Sequence, residues 1–215
     1  MRTVLSETDL APLVARSLVR RYRAGSWLFY EGDASDRVFI VRSGRVKIVD
    51  VTDDGREVIL ALCGPGTLLG ELSAIDGEPR SAAAIALDPV EAVLVDSVDF
   101  VAWLDATPGA ATAILRLMAG RLRMSDRRRV EFTALDVVGR VASRLVELAD
   151  EYGEPEGAGV RIALPITQQD LAAYTGSSRE AVSKALQSLR SRGLVETHRR
   201  GFSVLDLEGL RNRAR

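Results

Sequence analysis

Residues 108–132 read PGAATAILRLMAGRLRMSDRRRVEF, and this stretch predicts the element that joins the two halves of the chain. Side chains at spacings of three and four share one helix face, which is typical of a helix that pairs with a second helix. Pro108 is expected in the first helical turn. We therefore predict a dimerisation and connector helix over residues 108–134. The paired face comprises Leu115, Met118, Leu122, Ser125, Arg129 and Phe132.

This predicted face changes from apolar to polar at Ser125 and is strongly basic from Arg127 to Arg129. A single buried polar residue can fix the register of paired helices. A polar ligand bound against the helix would explain the same break. Both explanations remain open on this stretch alone.

The composition predicts an ordinary globular protein with an unevenly distributed charge. The chain has 215 residues, of which 47% are hydrophobic and 27% charged, with a formal net charge of -1. Its last forty residues nevertheless carry nine basic against four acidic side chains, a local net charge of +5. A basic C-terminal module on an acidic remainder indicates nucleic acid as the partner of that module.

The single cysteine and the amino terminus exclude several classes of protein. Cys63 lies in an apolar run and is expected in the core; one cysteine provides no disulfide framework, thiolate zinc site or iron–sulfur cluster. No metal or haem is expected. Because residues 1–7 contain no apolar segment and no run could span a bilayer, we expect a cytoplasmic protein without membrane contact.

The first hundred residues predict a β-structure preceded by a short helix. Ser6 and Asp9 form a possible capping box, and Leu10, Leu13, Val14 and Leu18 have helical spacing. Short β-type runs then alternate with turn residues, which favours an antiparallel sandwich or barrel. Strands are expected over residues 27–30, 38–41, 46–49, 57–60, 82–87 and 92–95, with a hairpin turn at residues 53–55.

A glycine-rich loop within this β-region is a candidate phosphate cradle. Gly70 permits close approach of the backbone to a ligand, and Arg80 with Ser81 supplies charge and a hydroxyl. The alternative is an ordinary loop with a salt bridge between Glu71 and Arg80. Loop composition does not decide between the two.

The C-terminal module has the pattern of a helix-turn-helix. Thr167 and Asp170 form a capping box, and a second helix follows a turn at Gly176. The second helix has an apolar stripe and an opposite face that can read base edges; a merely solvated face is the alternative. We assign base reading to Arg179, Glu180, Ser183 and Lys184, and phosphate contacts to Thr167, Gln169 and Ser178.

Two further segments flank the helix-turn-helix. Residues 194–197 and 202–205 predict a winged hairpin whose basic tip, Arg199 and Arg200, contacts the DNA backbone, with His198 close to phosphate. Residues 153–159 are rich in glycine and predict an exposed connecting loop.

Together these motifs resemble the cyclic-AMP receptor protein and fumarate-nitrate reduction regulator family of bacterial transcription factors. The resemblance rests on Gly70-Glu71-Leu72, on Arg80-Ser81-Ala82 and on Leu135-Asp136-Val137 followed by Gly139-Arg140. It implies an α+β fold: a cyclic-nucleotide-binding β-roll of the double-stranded jelly-roll type (1–107), a dimerisation helix (108–134) and a winged helix-turn-helix domain (135–215).

The resemblance also implies roles for the residues of the cradle. Glu71 would accept a hydrogen bond from the ribose 2′-hydroxyl, and Arg80 would neutralise the cyclic phosphate. Arg121 would extend toward Glu71, and Ser125 would bind the purine amino group. Asp126 departs from the family's serine, so the choice of purine is open. The remaining members of the cradle are Gly70, Leu72, Ser81 and Ala82.

The function implied is that of a homodimeric regulator that binds cyclic AMP and a palindromic DNA site with TGTGA-like half-sites. In the family, a loop at the position of residues 153–159 can contact RNA polymerase; a plain connector is the alternative. No nucleophile with a base, metal cluster or phosphate-binding loop of an enzyme is present in the sequence, so catalysis is not expected. The alternatives are a regulator of the same family with a different effector or none, and a nucleotide-sensing regulatory subunit of an enzyme.

Overall fold

The structure is a computed structural model that describes residues 13–14 and 17–215. It forms two compact units. The first comprises the chain up to Asp50 together with Leu60–Met124, and the second comprises Val51–Ile59 with Ser125–Arg215. The predicted α+β architecture, with an N-terminal β-domain, a long helix and a C-terminal helix-turn-helix, is confirmed.

In the residues that the structure describes, eight strands build the β-domain and form two antiparallel sheets. One sheet has the order β1-β8-β3-β6 and the other the order β2-β7-β4-β5. The strands are β1 Leu18–Tyr22, β2 Trp27–Phe29, β3 Arg37–Ser43, β4 Val46–Val51, β5 Glu57–Cys63, β6 Leu68–Leu69, β7 Ala83–Ala86 and β8 Val90–Asp96.

Successive side chains of β3 point to opposite faces of the sheet and contribute to two separate hydrophobic clusters. Phe39 and Val41 contribute to a cluster that also contains Phe29 and Cys63. Val38 and Ile40, on the opposite face of the same strand, join a second cluster with residues of the helices that follow. Because both faces of β3 are covered, its apolar run is continuous, and the prediction that Cys63 belongs to the core is confirmed.

Two features of the β-domain differ from the prediction. Leu18 was expected on a helix, but it begins β1 and is exposed at the sheet edge. Leu13 and Val14 are helical, whereas Ser6, Asp9 and Leu10 lie outside the described residues. The two-residue strand β6 was not predicted. Edge strands and very short strands carry little hydrophobic alternation, so their sequence signal is weak.

From residue 17 to residue 134, the described chain contains three helices: α1 Glu71–Asp76, α2 Ser97–Ala106 and α3 Ala110–Ala134. The long helix α3 begins two residues after Pro108, which was wrongly placed in its first turn. Met118 packs against the second core, so it does not belong to an open helix face. Leu115, Leu122 and Phe132 are exposed, and none of the helices described is long and apolar enough to cross a membrane.

The C-terminal part contains four helices and a third sheet, of order β11-β12-β10-β9. Residues 153–159 were predicted to be a loop, but they belong to a hairpin of β9 Gly153–Glu156 and β10 Gly159–Ile162. Its turn falls at Gly157, which has a positive φ. The other elements are α4 Val137–Tyr152, α5 Gln168–Thr175, α6 Arg179–Ser191, β11 Val195–His198, β12 Gly201–Val204 and α7 Leu207–Arg213.

Asp136 caps the N-terminus of α4, and its ionisation should make the stability of the fold depend on pH. Its Oδ1 accepts a hydrogen bond from Gly139 N at 2.7 Å, and Arg213 donates to both carboxylate oxygens at 2.6 Å. Arg213 and this cap lower the pKa of Asp136. A lowered pKa stabilises the fold above the unfolded value, about 4, and this contribution is lost as the pH falls through the folded pKa.

We expect Asp136→Asn, which keeps a capping oxygen, to flatten the loss of thermal stability below about pH 4. Asp136→Ala also removes the cap and should cost about 1 kcal/mol near neutral pH. Thermal unfolding followed by circular dichroism measures both effects, with Glu196→Gln as an exposed control. If the thermal stability of Asp136→Asn falls as steeply below about pH 4 as that of the wild type, Asp136 is not the source of this pH dependence.

Candidate nucleotide cradle and DNA-reading surface

Arg80 is buried at the centre of the predicted cradle. Its Nη1 donates to the carbonyl oxygen of Gly70 at 2.7 Å, and its Nη2 donates to the carbonyl oxygen of Arg37. The guanidinium also lies 4.7 Å from the ring centroid of Phe29. Gly70 has φ 76°, and a Cβ atom there would collide with Nη1 of Arg80. Only glycine therefore allows this approach.

Among the described residues, the charge of Arg80 has no direct counter-ion. The residue is 4% exposed and forms no ion pair in that part of the chain. Burial lowers the pKa of Arg80, while Asp36, Glu71 and Asp33 oppose that shift from a distance. The salt bridge with Glu71, which was the alternative explanation of the loop, is not formed. An isolated buried cation favours a bound anion.

Glu71 is the first residue of α1 and is 1% exposed. Its Oε1 accepts from Arg121 Nη1, and Arg121 Nη2 also donates to the carbonyl oxygen of Leu68 at 3.1 Å. Its Oε2 is buried and has no hydrogen-bond partner among the described residues. Because an unsatisfied buried acceptor costs free energy, this oxygen is suited to receive a donor from a ligand.

The other predicted members of the site differ in their placement. Leu72 and Ser81 are exposed beside this buried group, and Ala82 is half-buried immediately before β7. Ser125 and Asp126 lie on the exposed surface of α3 in the second unit, where Asp126 Oδ1 is 4.0 Å from Arg129 Nη1. The structure therefore brings together Gly70, Glu71, Arg80 and Arg121.

Sequence reasoning did not identify several groups that complete the cradle. The carbonyl oxygens of Arg37 and Leu68 accept hydrogen bonds from Arg80 and Arg121, respectively. The ring centroids of Phe29 and Phe39 lie 4.7 and 5.9 Å from the guanidinium carbon of Arg80. Backbone acceptors have no sequence signature. Two aromatic residues on neighbouring predicted strands were the one available signal for the stacking.

The recognition helix α6 has the predicted division into two faces. Ser178 Oγ accepts from Ala181 N at 3.2 Å and caps the helix. Val182, Ala185, Leu186 and Leu189 are buried. Its outward side chains Arg179, Glu180, Ser183 and Lys184 are exposed. The hydrogen bonds of Glu180 with its own backbone N–H and with Ser178 lower the pKa of its carboxyl, so it remains an acceptor.

The three residues assigned to phosphate contacts differ in whether their polar side-chain groups already form hydrogen bonds within the protein. Thr167 forms the predicted capping box, in which its Oγ1 donates to Asp170 Oδ2 at 2.6 Å and accepts from Asp170 N at 3.1 Å. Gln169 is exposed at the start of α5. Thr167 Oγ1 already donates to Asp170, and Ser178 is hydrogen-bonded both to Ala181 N and to the Glu180 side chain. A phosphate contact from either hydroxyl would therefore replace an existing hydrogen bond.

Arg199 and Arg200 occupy the tip of the β11–β12 hairpin and are exposed, as predicted for a wing. His198, which was expected close to phosphate, instead engages the sheet. Its Nε2 is 2.8 Å from Ser203 Oγ, and Ser203 donates to Glu156 Oε2 at 2.7 Å. His198 therefore contributes to the sheet as well as to the basic surface.

A β-domain with a buried basic cradle, a long helix and a winged helix-turn-helix define the class of effector-controlled DNA-binding proteins. Two family models match the chain: a cyclic nucleotide-binding domain at residues 19–107 and a Crp-like helix-turn-helix domain at residues 139–213. The chain thus belongs to the CRP/FNR family of transcription regulators, which are not enzymes.

Individual relatives agree with this assignment. A CRP-like cAMP-activated global transcriptional regulator of Mycobacterium tuberculosis is 37% identical, over 89% of this chain and 85% of its own. A cyclic AMP receptor protein of Thermus thermophilus is 34% identical, over 82% and 78%. Among solved structures, the c-di-GMP responsive global regulator CLP of Xanthomonas campestris has a TM-score of 0.81 at 25% identity, over 93% and 99%.

Proposed function

We propose that this protein is a homodimeric transcription regulator whose effector is cyclic AMP. The observation that carries the proposal is the buried Oε2 of Glu71, which lacks a partner among the described residues and lies in the same cradle as the unneutralised Arg80. A 3′,5′-cyclic nucleotide supplies both missing groups, because its 2′-hydroxyl is a donor and its phosphodiester is an anion. The names of the Mycobacterium and Thermus relatives support cyclic AMP as that nucleotide.

In this proposal each member of the cradle has a defined role. Arg80 binds the phosphate, Glu71 accepts from the 2′-hydroxyl, and Arg121 holds Glu71 in place. The purine lies toward Ser125 and Asp126 of the long helix. The loop segments around these side chains complete the site through backbone groups and a hydroxyl; they are Gly70, Leu72, Ser81 and Ala82.

Dimerisation and the division into domains belong to the same proposal. Leu115 and Leu122 of α3 are 68% and 64% exposed in the single chain, and Val130 and Phe132 are exposed as well. Large apolar side chains at these spacings favour pairing with the helix of a second copy. The proposed divisions are residues 1–107 for the effector domain, 108–134 for the dimerisation helix and 135–215 for the DNA-binding domain.

The proposed DNA site is a palindrome with TGTGA-like half-sites. Arg179 would donate two hydrogen bonds to guanine, Glu180 would accept from cytosine, and Ser183 and Lys184 would add contacts at the same groove edge. The exposed tip residues Arg199 and Arg200 would contact the backbone, as would Thr167, Gln169 and Ser178. The exposed β9–β10 hairpin is the proposed surface for RNA polymerase.

Isothermal titration with cyclic AMP and with cyclic GMP tests the ligand half of the proposal. We expect saturable binding of cyclic AMP with one nucleotide per chain. Absence of heat with either nucleotide, in a preparation that binds DNA specifically, would refute cyclic-nucleotide control and leave the DNA-binding function intact.

A prediction specific to Glu71 follows from its unpartnered oxygen. We expect 2′-deoxy cyclic AMP to bind about tenfold more weakly than cyclic AMP, since a hydrogen bond to a charged group contributes about 1.5 kcal/mol or more. In Glu71→Gln the two nucleotides should differ by less than about threefold. The same titration measures both ratios, and equal ratios in both proteins would refute the assigned contact.

One observation favours a second candidate within the family. Asp126 adds a negative charge next to Ser125, at a position where the family has a serine. The structurally similar CLP of Xanthomonas is a c-di-GMP responsive regulator, so the fold is compatible with another nucleotide. A regulator with an effector other than cyclic AMP is therefore the alternative. Titration with c-di-GMP as a third nucleotide distinguishes it.

A further inference from the structure

The last turns of α3 are joined to the DNA-reading helices by a buried charged cluster, which we call the α3 clasp. It consists of Arg128 and Glu131 on α3, Arg144 and Glu147 on α4, and Tyr174 on α5. At its rim, the exposed Arg127 also donates to Glu131 Oε1, at 2.9 Å. All five residues belong to the second unit.

The clasp has an inner and an outer ion pair. Arg144 and Glu131 are 6% and 12% exposed in their side chains and pair directly, and Ser143 Oγ also donates to Glu131 Oε1 at 3.0 Å. Arg128 Nη2 donates to Glu147 Oε1 at 2.9 Å, and Arg144 Nη1 donates to Glu147 Oε2. Glu147 therefore connects both arginines.

Tyr174 extends the clasp to the helix-turn-helix. Its hydroxyl donates to Glu147 Oε1 at 2.8 Å and accepts from Arg128 Nη2 at 2.5 Å. The guanidinium carbon atoms of Arg128 and Arg144 lie 4.7 and 5.7 Å from its ring centroid. Burial and Glu147 raise the pKa of Tyr174, so the hydroxyl remains a donor. Tyr174 lies at the end of α5, immediately before the turn to α6.

A second contact joins α3 to the turn itself. Arg140 donates to the carbonyl oxygens of Leu135 and Thr175 at 3.0 and 3.2 Å and to Ser177 Oγ at 3.1 Å. Its guanidinium carbon lies 4.8 Å from the ring centroid of Phe132. A Cβ atom at Gly176 would be 3.3 Å from Cε2 of that ring. The turn before α6 is thus fixed to the end of α3.

A buried ion cluster does not by itself make a fold more stable than an apolar core would. Apolar residues of similar volume are often as stable or more stable, whereas removal of one partner leaves an uncompensated charge. Such clusters can instead specify a single arrangement, because each charge needs its partners in fixed geometry. Here the arrangement that is specified is that of α4 and α5 against the last turns of α3.

We propose that the α3 clasp positions the DNA-reading helices, so that a change in α3 on effector binding is transmitted to α6 through Tyr174 and the turn. The clasp residues are positioning residues and need no contact with DNA or nucleotide. The inference rests on the proposed function for its effector, but the coupling of α3 to α5 is independent of any ligand.

The test uses the double variant Glu131→Leu with Arg144→Met, which removes the inner pair without leaving a buried charge. The matched control, Glu154→Leu with Arg161→Met, removes an ion pair of the same unit whose side chains are 57% and 49% exposed. This pair lies in the hairpin proposed to contact RNA polymerase, which is absent from both readouts. Thermal unfolding establishes that both proteins fold. Tyr174→Phe is a milder variant that keeps the ring and removes only the bridging hydroxyl.

Native-state hydrogen exchange is the first readout. In the wild type, amides of residues 128–134 and 171–175 should open together. In the double variant, residues 128–134 should exchange at least about tenfold faster while 171–175 stay protected. The second readout is the ratio of the DNA affinities measured with and without cyclic AMP. In the double variant this ratio should fall to within about twofold of one, whereas the control variant should keep the ratio of the wild type.

An unchanged exchange pattern, or an unchanged affinity ratio in a folded double variant, would overturn the proposal. If the wild type itself shows no effect of cyclic AMP, the proposed effector is wrong. In that case hydrogen exchange alone decides whether the clasp couples α3 to α5. Faster exchange of residues 128–134 in the double variant, with residues 171–175 still protected, supports the coupling, and an unchanged pattern refutes it.

Discussion

Arg80→Ala is expected to weaken binding of cyclic AMP by about 100-fold or more. The variant removes the one buried cation of the cradle that can neutralise the phosphate, and charge-assisted contacts of this kind contribute about 2–4 kcal/mol. Arg80→Lys keeps the charge but cannot reproduce the two-pronged guanidinium geometry, so a smaller loss of roughly tenfold is expected. Isothermal titration measures both affinities.

The control for this prediction must separate binding from folding. Arg80 also donates to the carbonyl oxygens of Gly70 and Arg37 and packs on Phe29, so its removal should lower thermal stability. Arg21→Ala, an exposed arginine of the same unit that pairs with Glu91, should leave affinity unchanged. A folded Arg80→Ala protein with an affinity within about twofold of wild type would refute the cradle.

Arg179→Ala is expected to lower affinity for a TGTGA-type palindrome by about 1–3 kcal/mol per half-site and to relax specificity at one base pair. The reason is the loss of a bidentate contact from the first turn of α6, where the side chain is exposed and its helix is capped. Selection from random DNA followed by fluorescence anisotropy measures specificity and affinity.

Arg190→Ala is the matched control, since it removes the same charge from the last turn of the same helix. It should weaken binding to all sequences alike and reduce the salt dependence of binding, while the base preference stays that of the wild type. Equal base preferences in Arg179→Ala and wild type would show that α6 does not read the base pair through this residue.

Local patterns explain why much of the fold was predictable. The capping box of Thr167 and Asp170 and the buried stripe through Val182 and Leu189 depend on neighbours within one helix. Two of the segments that were missed, β1 with Leu18 and β9 of the 153–162 hairpin, lie at sheet edges. Polar or irregular edge strands lack the alternation on which a sequence prediction depends.

The cradle was predictable only in part, because its geometry joins distant residues. Glu71 meets Arg121 fifty positions later, and Arg80 meets the carbonyl oxygen of Arg37. Residue types around Gly70 suggested an anion site but fitted a Glu71–Arg80 salt bridge equally well. Resemblance to a family indicated the pairing of Glu71 with Arg121, whereas the unpartnered Oε2 emerged only from the three-dimensional arrangement.

The most direct test of effector control is the affinity of the full-length protein for a labelled palindromic duplex, measured by fluorescence anisotropy at one fixed salt concentration with and without saturating cyclic AMP. We predict that cyclic AMP strengthens binding at least about fivefold, which is the lower end of typical coupling between two sites, and does not do so for a scrambled duplex. Equal affinities with and without the nucleotide would contradict control of DNA binding by cyclic AMP.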